Sequence, residues 1–163
     1  MSAELEGQLE RLERRILELE GRDEVQSMHA AFVRAVADRR FDDLVDYFAD
    51  DAVIDMRAHG PRAGRDAIAE HFQHMADVPL EGASYVLSSP VVTVAGDRAT
   101  GLWTWHRFYS SAVVGGREVT VWGVWDEGRY DCEYTRIDGR WRFSRMRFRI
   151  VRPIPDPDGE PSE

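Results

Sequence analysis

A run of alternating aromatic and basic side chains is the first feature of this sequence that could handle a small molecule. If the segment is a β-strand, alternation places four of them on one face: Trp103, Trp105, Arg107 and Tyr109. The rings suit a flat, ring-bearing ligand, and Arg107 could hold a carboxylate, phenolate or enolate. The alternative is an aromatic core with Arg107 at its rim.

The next predicted strand places an acidic residue among apolar neighbours. One face would carry Trp122, Val124, Asp126, Gly128, Tyr130 and Cys132. Asp126 could act as a base or form a structural ion pair with Arg107. Tyr130 could donate to an oxyanion or be a core residue. His106 would face the other way unless a β-bulge turns it inward, and it is a reserve candidate for the base.

A third carboxylate ends a helix predicted at about 23–38. The core stripe of that helix is Val25, Met28, Phe32 and Val36, and beside it Ala31 and Ala35 lead toward Asp38. Elimination and enolisation need a base near an acidic C–H and a donor for the leaving group or the oxyanion. Asp38, if desolvated, could be that base. The alternative is that it only caps the turn before Phe41.

The histidines outside that strand are weaker candidates. His71 and His74 have a spacing compatible with a metal, yet they flank the inward stripe of a helix predicted at about 65–75, so we expect them to be solvated. His29 and His59 stand alone, and a structural role is expected for each. We predict no metal site and no cofactor.

Composition excludes several classes of function. The length of 163 residues and the 43% hydrophobic content fit one domain. A formal charge of -9 argues against nucleic acid and anionic membranes as partners. All 21 basic residues are arginine, which excludes lysine Schiff bases and ordinary phosphate loops. A single cysteine, with neither a membrane-length apolar run nor a signal peptide, predicts a cytoplasmic protein.

Helical patterns occupy the first half of the chain. A heptad pattern over residues 3–20 contains Leu5, Leu9, Leu12, Ile16 and Leu19. This stripe either packs on its own domain or helps a homo-oligomer to form. A short helix at 42–48 and a strand at 52–58 follow the second helix.

The second half is dominated by strand patterns. Turn signals at glycines separate strands predicted near 83–95, 98–112, 117–135 and 140–152. Helices followed by an antiparallel meander predict an α+β fold in which helices cover one face of the sheet. The expected organisation is an amphipathic helix at 1–21, a domain at 22–152 and a disordered tail at 153–163.

Three stretches together resemble a known family: F-V-R-A-V-A-D-R-R-F-D-D-L-V-D-Y-F-A-D-D-A-V, G-R-D-A-I-A-E-H-F and G-R-Y-D-C-E-Y-T-R-I-D-G-R-W-R-F-S-R. The chain resembles the SnoaL-like family of the nuclear transport factor 2-like superfamily over roughly 23–149. The resemblance implies a helix-backed, strongly curved sheet that forms a cone-shaped pocket, and homo-oligomers that are dimers or trimers. Activities in the superfamily range from dehydratases and isomerases to proteins with no catalysis.

Within the family, the chain is most similar to the scytalone dehydratase, bile acid dehydratase and hexachlorocyclohexane dehydrochlorinase group. In that group an Asp at the end of the long helix pairs with a His at the start of the next long strand, and this His abstracts a proton. Asp38 matches the Asp, whereas Tyr85 occupies the position of the His. This departure from the pattern of the group puts the usual His base in doubt.

These observations together favour a cofactor-independent lyase or isomerase acting on a hydrophobic cyclic or aromatic molecule. The reaction would be a dehydration, a related elimination, a retro-aldol-type cleavage or a double-bond shift. Alternatives are a non-catalytic binding or assembly module, or the small subunit of a ring-hydroxylating oxygenase. The candidate catalytic residues are Asp38, Tyr85, Asp126, Tyr130 and His106. Predicted to contact the substrate are Trp103, Trp105, Arg107, Tyr109, Tyr47, Phe32, Ile54, Met56 and Trp122.

Overall fold

A computed structural model describes residues 2–56, 60–76, 83–109, 112–114, 116–119 and 123–153. Two α-helices, one 3₁₀ helix and eight strands occur in these ranges. The helices are α1 (Ala3–Ala37), the 3₁₀ helix (Phe41–Tyr47) and α2 (Arg65–Ala76). The strands are β1 (Phe48–Met56), β2 (Pro61–Ala63), β3 (Ala83–Ala95), β4 (Arg98–Tyr109), β5 (Ala112–Val114), β6 (Arg117–Val119), β7 (Gly123–Ile137) and β8 (Arg140–Pro153).

The first helix is continuous, where the sequence pattern predicted two. Ser2 caps its start by accepting a hydrogen bond from the Leu5 N–H. Gly21 lies within the helix and does not end it. Its lack of a side chain permits close packing, because a Cβ there would lie 3.1 Å from Val94 Cγ1 of β3. The division of the chain at residue 21 into an extra helix and a domain stays a prediction.

Six of the described strands form one sheet in the order β2-β1-β8-β7-β4-β3, and β5 pairs with β6 in a separate hairpin. The α+β class with helices against a sheet is confirmed. The sheet is mixed rather than wholly antiparallel, because β1 joins the free edge of β8 in parallel orientation. The short hairpin also divides the stretch that was predicted as the end of one long strand and the start of the next.

Irregular register bends the long strands around the helices. Shifts occur between Ser88 and Val91 in β3, and after Arg107 in β4. Strand β7 carries two more, one of them between Glu127 and Gly128. Bulges of this kind increase local twist and curvature, so the sheet wraps around an inner face.

Aromatic packing joins α1 and α2 to this inner face. Phe32 of α1 lies with its ring centroid 5.1 Å from Phe143 of β8, and 6.0 Å from Phe72 of α2. Phe48 of β1 completes the cluster. No helix among the described residues is long and apolar enough to cross a membrane.

Candidate functional site

A cavity of about 320 Å³ lies between the two α-helices and the inner face of the sheet. Both α-helices and several strands of the sheet contribute residues to its walls, and most of the lining is apolar. The lining residues are Phe32, Val33, Val36, Met56, Arg62, His71, Phe72, His74, Met75, Tyr85, Trp105, Arg107, Tyr130 and Phe148. Six of the predicted site residues are among them: Phe32, Met56, Tyr85, Trp105, Arg107 and Tyr130.

Four stacked rings form the sheet-side wall of the cavity. The ring of Tyr85 on β3 lies 5.2 Å from that of Trp105 on β4, which meets Phe148 of β8 edge-on at 5.2 Å. Tyr130 of β7 lies 4.6 Å from Phe148. The wall is therefore aromatic across the strands, offers both ring faces and ring edges, and carries two phenol hydroxyls.

Gly128 makes this wall possible. It lies opposite Trp105 in the sheet and beside Phe148, and a Cβ at this position would be 2.6 Å from Phe148 Cε2 and 3.1 Å from Trp105 Cε3. Any other residue would force one of these rings out of place. The absent side chain of Gly128 is therefore a structural requirement of the cavity.

A nearly buried ion pair adjoins the aromatic wall. Arg107 and Asp126 lie opposite each other on β4 and β7, and their side chains are in contact. Only 17% and 10% of these side chains are exposed. Arg107 lines the cavity, whereas Asp126 does not, so the cation is presented to a ligand while its counter-ion lies behind it. Two roles were predicted for Asp126, a base or a partner in a structural ion pair with Arg107. The contact seen in the structure is the ion pair.

Helix α2 contributes two histidines to the cavity lining, and of the two only His74 is exposed as expected. His71 is half-buried beside Phe72, and His74 lies at the exposed rim. The inward face of α2 is wider than the predicted stripe, since the curved sheet leaves a gap along it. His74 Nδ1 lies 2.8 Å from the Glu70 carbonyl oxygen. Because a carbonyl only accepts, Nδ1 carries the proton and Nε2 of neutral His74 is free to accept one.

Asp38 is not among the residues that line the cavity, and it lacks the desolvation on which its predicted role as a base depended. It is the C-terminal cap of α1, its side chain is 56% exposed, and its carboxylate lies 4.0 Å from Arg40. The chain turns sharply here, since Arg39 has a φ of 57°. The turn leaves Asp38 at the surface, the alternative that the sequence had left open.

His106 is also outside the cavity. It lies on the opposite face of β4 from Trp105, with Nε2 4.0 Å from Glu127 Oε2. The bulge in this strand pair follows Arg107, so it comes too late to reverse His106.

A buried polar cluster adjoins the cavity and contains Trp103, one of the predicted substrate contacts. Trp103 Nε1 donates to the Tyr134 hydroxyl over 2.9 Å, and His29 Nδ1 shares a hydrogen bond with the same hydroxyl over 2.8 Å. Burial lowers the pKa of His29 to about 3 and raises the pKa of Tyr134. Trp103 was predicted to contact the substrate, but it is directed into this cluster. The structural role expected for His29 is confirmed.

Four other predicted contacts do not reach the cavity or cannot be placed. Ile54 is a buried core residue. Tyr47 packs edge-on against Phe32 and lines a separate groove. The side chain of Tyr109, and the whole of Trp122, lie outside the described residues.

The chain can now be compared with known proteins. The model of the SnoaL-like domain matches residues 17–147. The chain belongs to the SnoaL-like family. Its fold is that of the nuclear transport factor 2-like proteins, which includes dehydratases and dehydrochlorinases, as the resemblance implied.

Individual relatives agree with this assignment. The uncharacterized protein Rv2910c of Mycobacterium tuberculosis is 30% identical over 133 residues, which cover 80% of this chain and 85% of that protein. A nuclear transport factor 2-like protein with a cystatin-like fold from Novosphingobium aromaticivorans aligns with a TM-score of 0.69, at 22% identity over 88% of this chain and 90% of that one. The LinA-type3 hexachlorocyclohexane dehydrochlorinase of Novosphingobium barchaimii aligns with a TM-score of 0.65, at 19% identity over 82% and 88%.

Sequence reasoning missed several lining residues of this SnoaL-like cavity. Arg62 comes from the short strand β2, for which periodicity gives no signal, and its Nε is buried without a hydrogen-bond partner. Met75 was predicted to face inward, but not toward a ligand. The three-residue spacing of His71 and His74 is evident from the sequence. Whether their side chains line a cavity depends on the width of the gap between α2 and the sheet, which the sequence does not show. No group of three or more metal-binding side chains occurs within the described ranges.

Proposed function

We propose that the cavity binds a hydrophobic, ring-bearing molecule and that the protein is a cofactor-independent lyase or isomerase. The observation that carries this proposal is that the cavity combines an aromatic wall with two imidazoles on α2 and a guanidinium on β4. Apolar walls with a few convergent polar groups are typical of small-molecule sites. Enolisation and elimination also require convergent polar groups, because a base must take up a proton and a donor must stabilise the oxyanion or leaving group.

His74 is the proposed proton acceptor. Its Nδ1–H is held by the Glu70 carbonyl, which leaves Nε2 with a lone pair in the neutral form. A C–H next to a ligand carbonyl would transfer its proton to Nε2, and the electron pair would form a C=C bond as the carbonyl oxygen becomes an enolate. His71, one turn away on the same helix and more buried, is the second candidate.

The opposite wall would stabilise the developing oxyanion. Tyr85 and Tyr130 offer phenol hydroxyls, and Arg107 offers a guanidinium whose orientation is fixed by Asp126. In a largely apolar cavity such donors act more strongly than in water. Return of the proton to another carbon would give a double-bond shift, and loss of a leaving group from the β-carbon would give an elimination.

The test is proton transfer on a panel of hydrophobic cyclic ketones and β-hydroxy ketones in deuterated water. Deuterium uptake, elimination and double-bond shift are followed by mass spectrometry. We expect His74→Gln to lower the rate on any active compound by roughly 100-fold. Asp38→Asn, at an exposed carboxylate, is the matched control and should retain the wild-type rate. Undiminished turnover in both His71→Gln and His74→Gln would exclude the α2 histidines.

A second candidate function is ligand binding without catalysis. It is favoured by the positions of Asp38, which is solvent-exposed, and Tyr85, which stands where the dehydratase group has its His base. In that case wild-type protein would bind ring compounds in the cavity and transform none of the panel. Binding with deuterium uptake would exclude this alternative.

A further inference from the structure

The first five turns of α1 expose an apolar stripe. Its members are between 41% and 58% exposed: Leu5, Leu9, Leu12, Ile16 and Leu19. They follow one another at alternating four- and three-residue spacings, so they form one continuous line on the helix. A stripe of this length on a projecting helix is expected to be covered by another surface.

This stripe, which we call the seam, lies on a different side of α1 from the closest contact with the sheet, although Leu19 at its end also borders a groove beside β3. Gly21 is buried against Val94 of β3, and it follows Leu19 by two residues. Each helical residue turns by about 100°, so Gly21 points roughly 200° from Leu19. The closest contact of α1 with β3, at Gly21, is therefore on a different side of the helix from the seam, and Leu19 lies at the border between the two sides.

The seam also ends where the helix begins to pack on the domain. The next two positions of the same heptad are Asp23 and Gln26, both polar. Val25, buried in the core, belongs to the sheet-facing side. The apolar heptad pattern thus ends at Leu19, and a covering surface has to match only residues 5–19.

Charged residues flank the seam with opposite signs on its two sides. With Leu9 and Ile16 at heptad position a, position e is occupied by Glu6, Glu13 and Glu20, and position g by Gln8, Arg15 and Arg22. All six are exposed. In a parallel pair of helices, position g faces position e of the next heptad, which sets Arg15 against Glu20 of a second copy. In an antiparallel pair, e faces e and g faces g, which sets Glu against Glu and Arg against Arg.

We propose that residues 3–22 of α1 form a parallel, two-stranded coiled coil with the same segment of a second copy of this chain. The choice of a second copy rests on this self-complementary charge pattern, and two strands rather than three on Leu at position d with Ile16 at position a. A coil of about two and a half heptads is marginal as a free peptide. Here the helix is already continuous with a folded domain, which reduces the ordering cost of association.

The existence of the interface is tested by sedimentation equilibrium of the full chain. We expect wild type to be a dimer at micromolar concentration and Ile16→Gln to raise the dissociation constant by roughly 30-fold or more. Leu17→Gln is the matched control: Leu17 is 61% exposed but lies off the seam at position b, so its dimer should dissociate as wild type does. The proposal would be overturned if wild type stayed monomeric at about 100 μM, or if the two variants had equal effects.

Orientation is tested by charge reversal. Glu20→Arg would face Arg15 in a parallel dimer and should weaken it about tenfold, whereas an antiparallel dimer would be strengthened because position 20 would then meet Glu6. Mixing Glu20→Arg with Arg15→Glu should restore wild-type affinity in a heterodimer. Leu5→Cys should form a disulfide-linked dimer only if the two N-termini are adjacent, and the native Cys132 does not compete because it is buried. Strengthening by Glu20→Arg, or no cross-link at position 5, would contradict the parallel arrangement.

Discussion

Arg107 and Asp126 face each other across β4 and β7, and of the two only Arg107 reaches the cavity. The carboxylate thus orients the guanidinium and neutralises its charge. Breaking such a pair leaves an uncompensated charge, whereas replacing both partners by apolar residues can be nearly neutral.

Asp126→Asn should therefore lower the free energy of unfolding by about 3 kcal/mol. The double replacement Arg107→Met with Asp126→Leu should return to within about 1 kcal/mol of wild type, while losing affinity for anionic ligands. Urea unfolding of the three proteins measures the first effect. If Asp126→Asn is as stable as wild type, the pair does not hold Arg107 in place.

Gly128→Ala should distort the aromatic wall, because the added methyl group would overlap the ring of Phe148. We expect a loss of about 2 kcal/mol in the free energy of unfolding and weaker ligand binding. The control is Gly7→Ala in the exposed part of α1, where the added Cβ would lie 3.7 Å from Arg11 Nη1, an ordinary van der Waals distance. It should stabilise the protein by about 0.5–1 kcal/mol. Opposite signs for the two variants are the expected result.

Two tyrosines allow a matched comparison of structural and functional hydroxyls. Tyr134→Phe removes the shared partner of Trp103 and His29, and should cost about 2 kcal/mol of stability without changing ligand affinity. Tyr130→Phe removes a hydroxyl on the cavity wall, and should lower turnover with a smaller loss of stability. Thermal unfolding and the deuterium assay on both variants separate the roles. Equal loss of turnover in both would argue against a specific role for Tyr130.

Acid should destabilise the protein through His29. Its pKa is about 3 in the folded protein and about 6.5 when unfolded, so the unfolded state binds more protons between these values. The free energy of unfolding should fall by roughly 3 kcal/mol as the pH is lowered from 6.5 to 4. Asp55, whose pKa is lowered by a hydrogen bond from Arg149, adds to the loss only as the pH falls through its ordinary value near 3.8 and below.

The matched variant is His29→Gln, which can keep a hydrogen bond to Tyr134 but does not titrate. Its unfolding free energy should be less dependent on pH between 6.5 and 4.5. An unchanged slope would show that another group is responsible for the acid sensitivity.

The fold could be predicted from the sequence because local patterns and tertiary packing agree along most of the chain. Strand β3 was predicted at its observed bounds, and the inward face of β4 followed from alternation at Trp103, Trp105 and Arg107. The parallel pairing of β1 with β8 could not be predicted this way, because the periodicity of a strand does not indicate which other strand it will pair with.

The site was harder to predict because it depends on where each element ends and how far the sheet curves. Asp38 occupies the matching position in the sequence, but the turn at Arg39 leaves its carboxylate in solvent. His74 shows the reverse case: its face of α2 is polar in sequence, and the open gap beside it makes that face part of the cavity.

The central claim, that this cavity binds a hydrophobic, ring-bearing molecule and that Arg107 stabilises negative charge on its oxygen, is tested most directly by isothermal titration calorimetry. The probes are 2-naphthoate and its neutral amide, titrated into wild type, Val36→Trp and Ile137→Trp. Val36 lines the cavity, whereas Ile137 is exposed outside it. We predict that wild type and Ile137→Trp bind naphthoate more tightly than the amide and that Val36→Trp binds neither. Equal binding of naphthoate by all three proteins would contradict the claim.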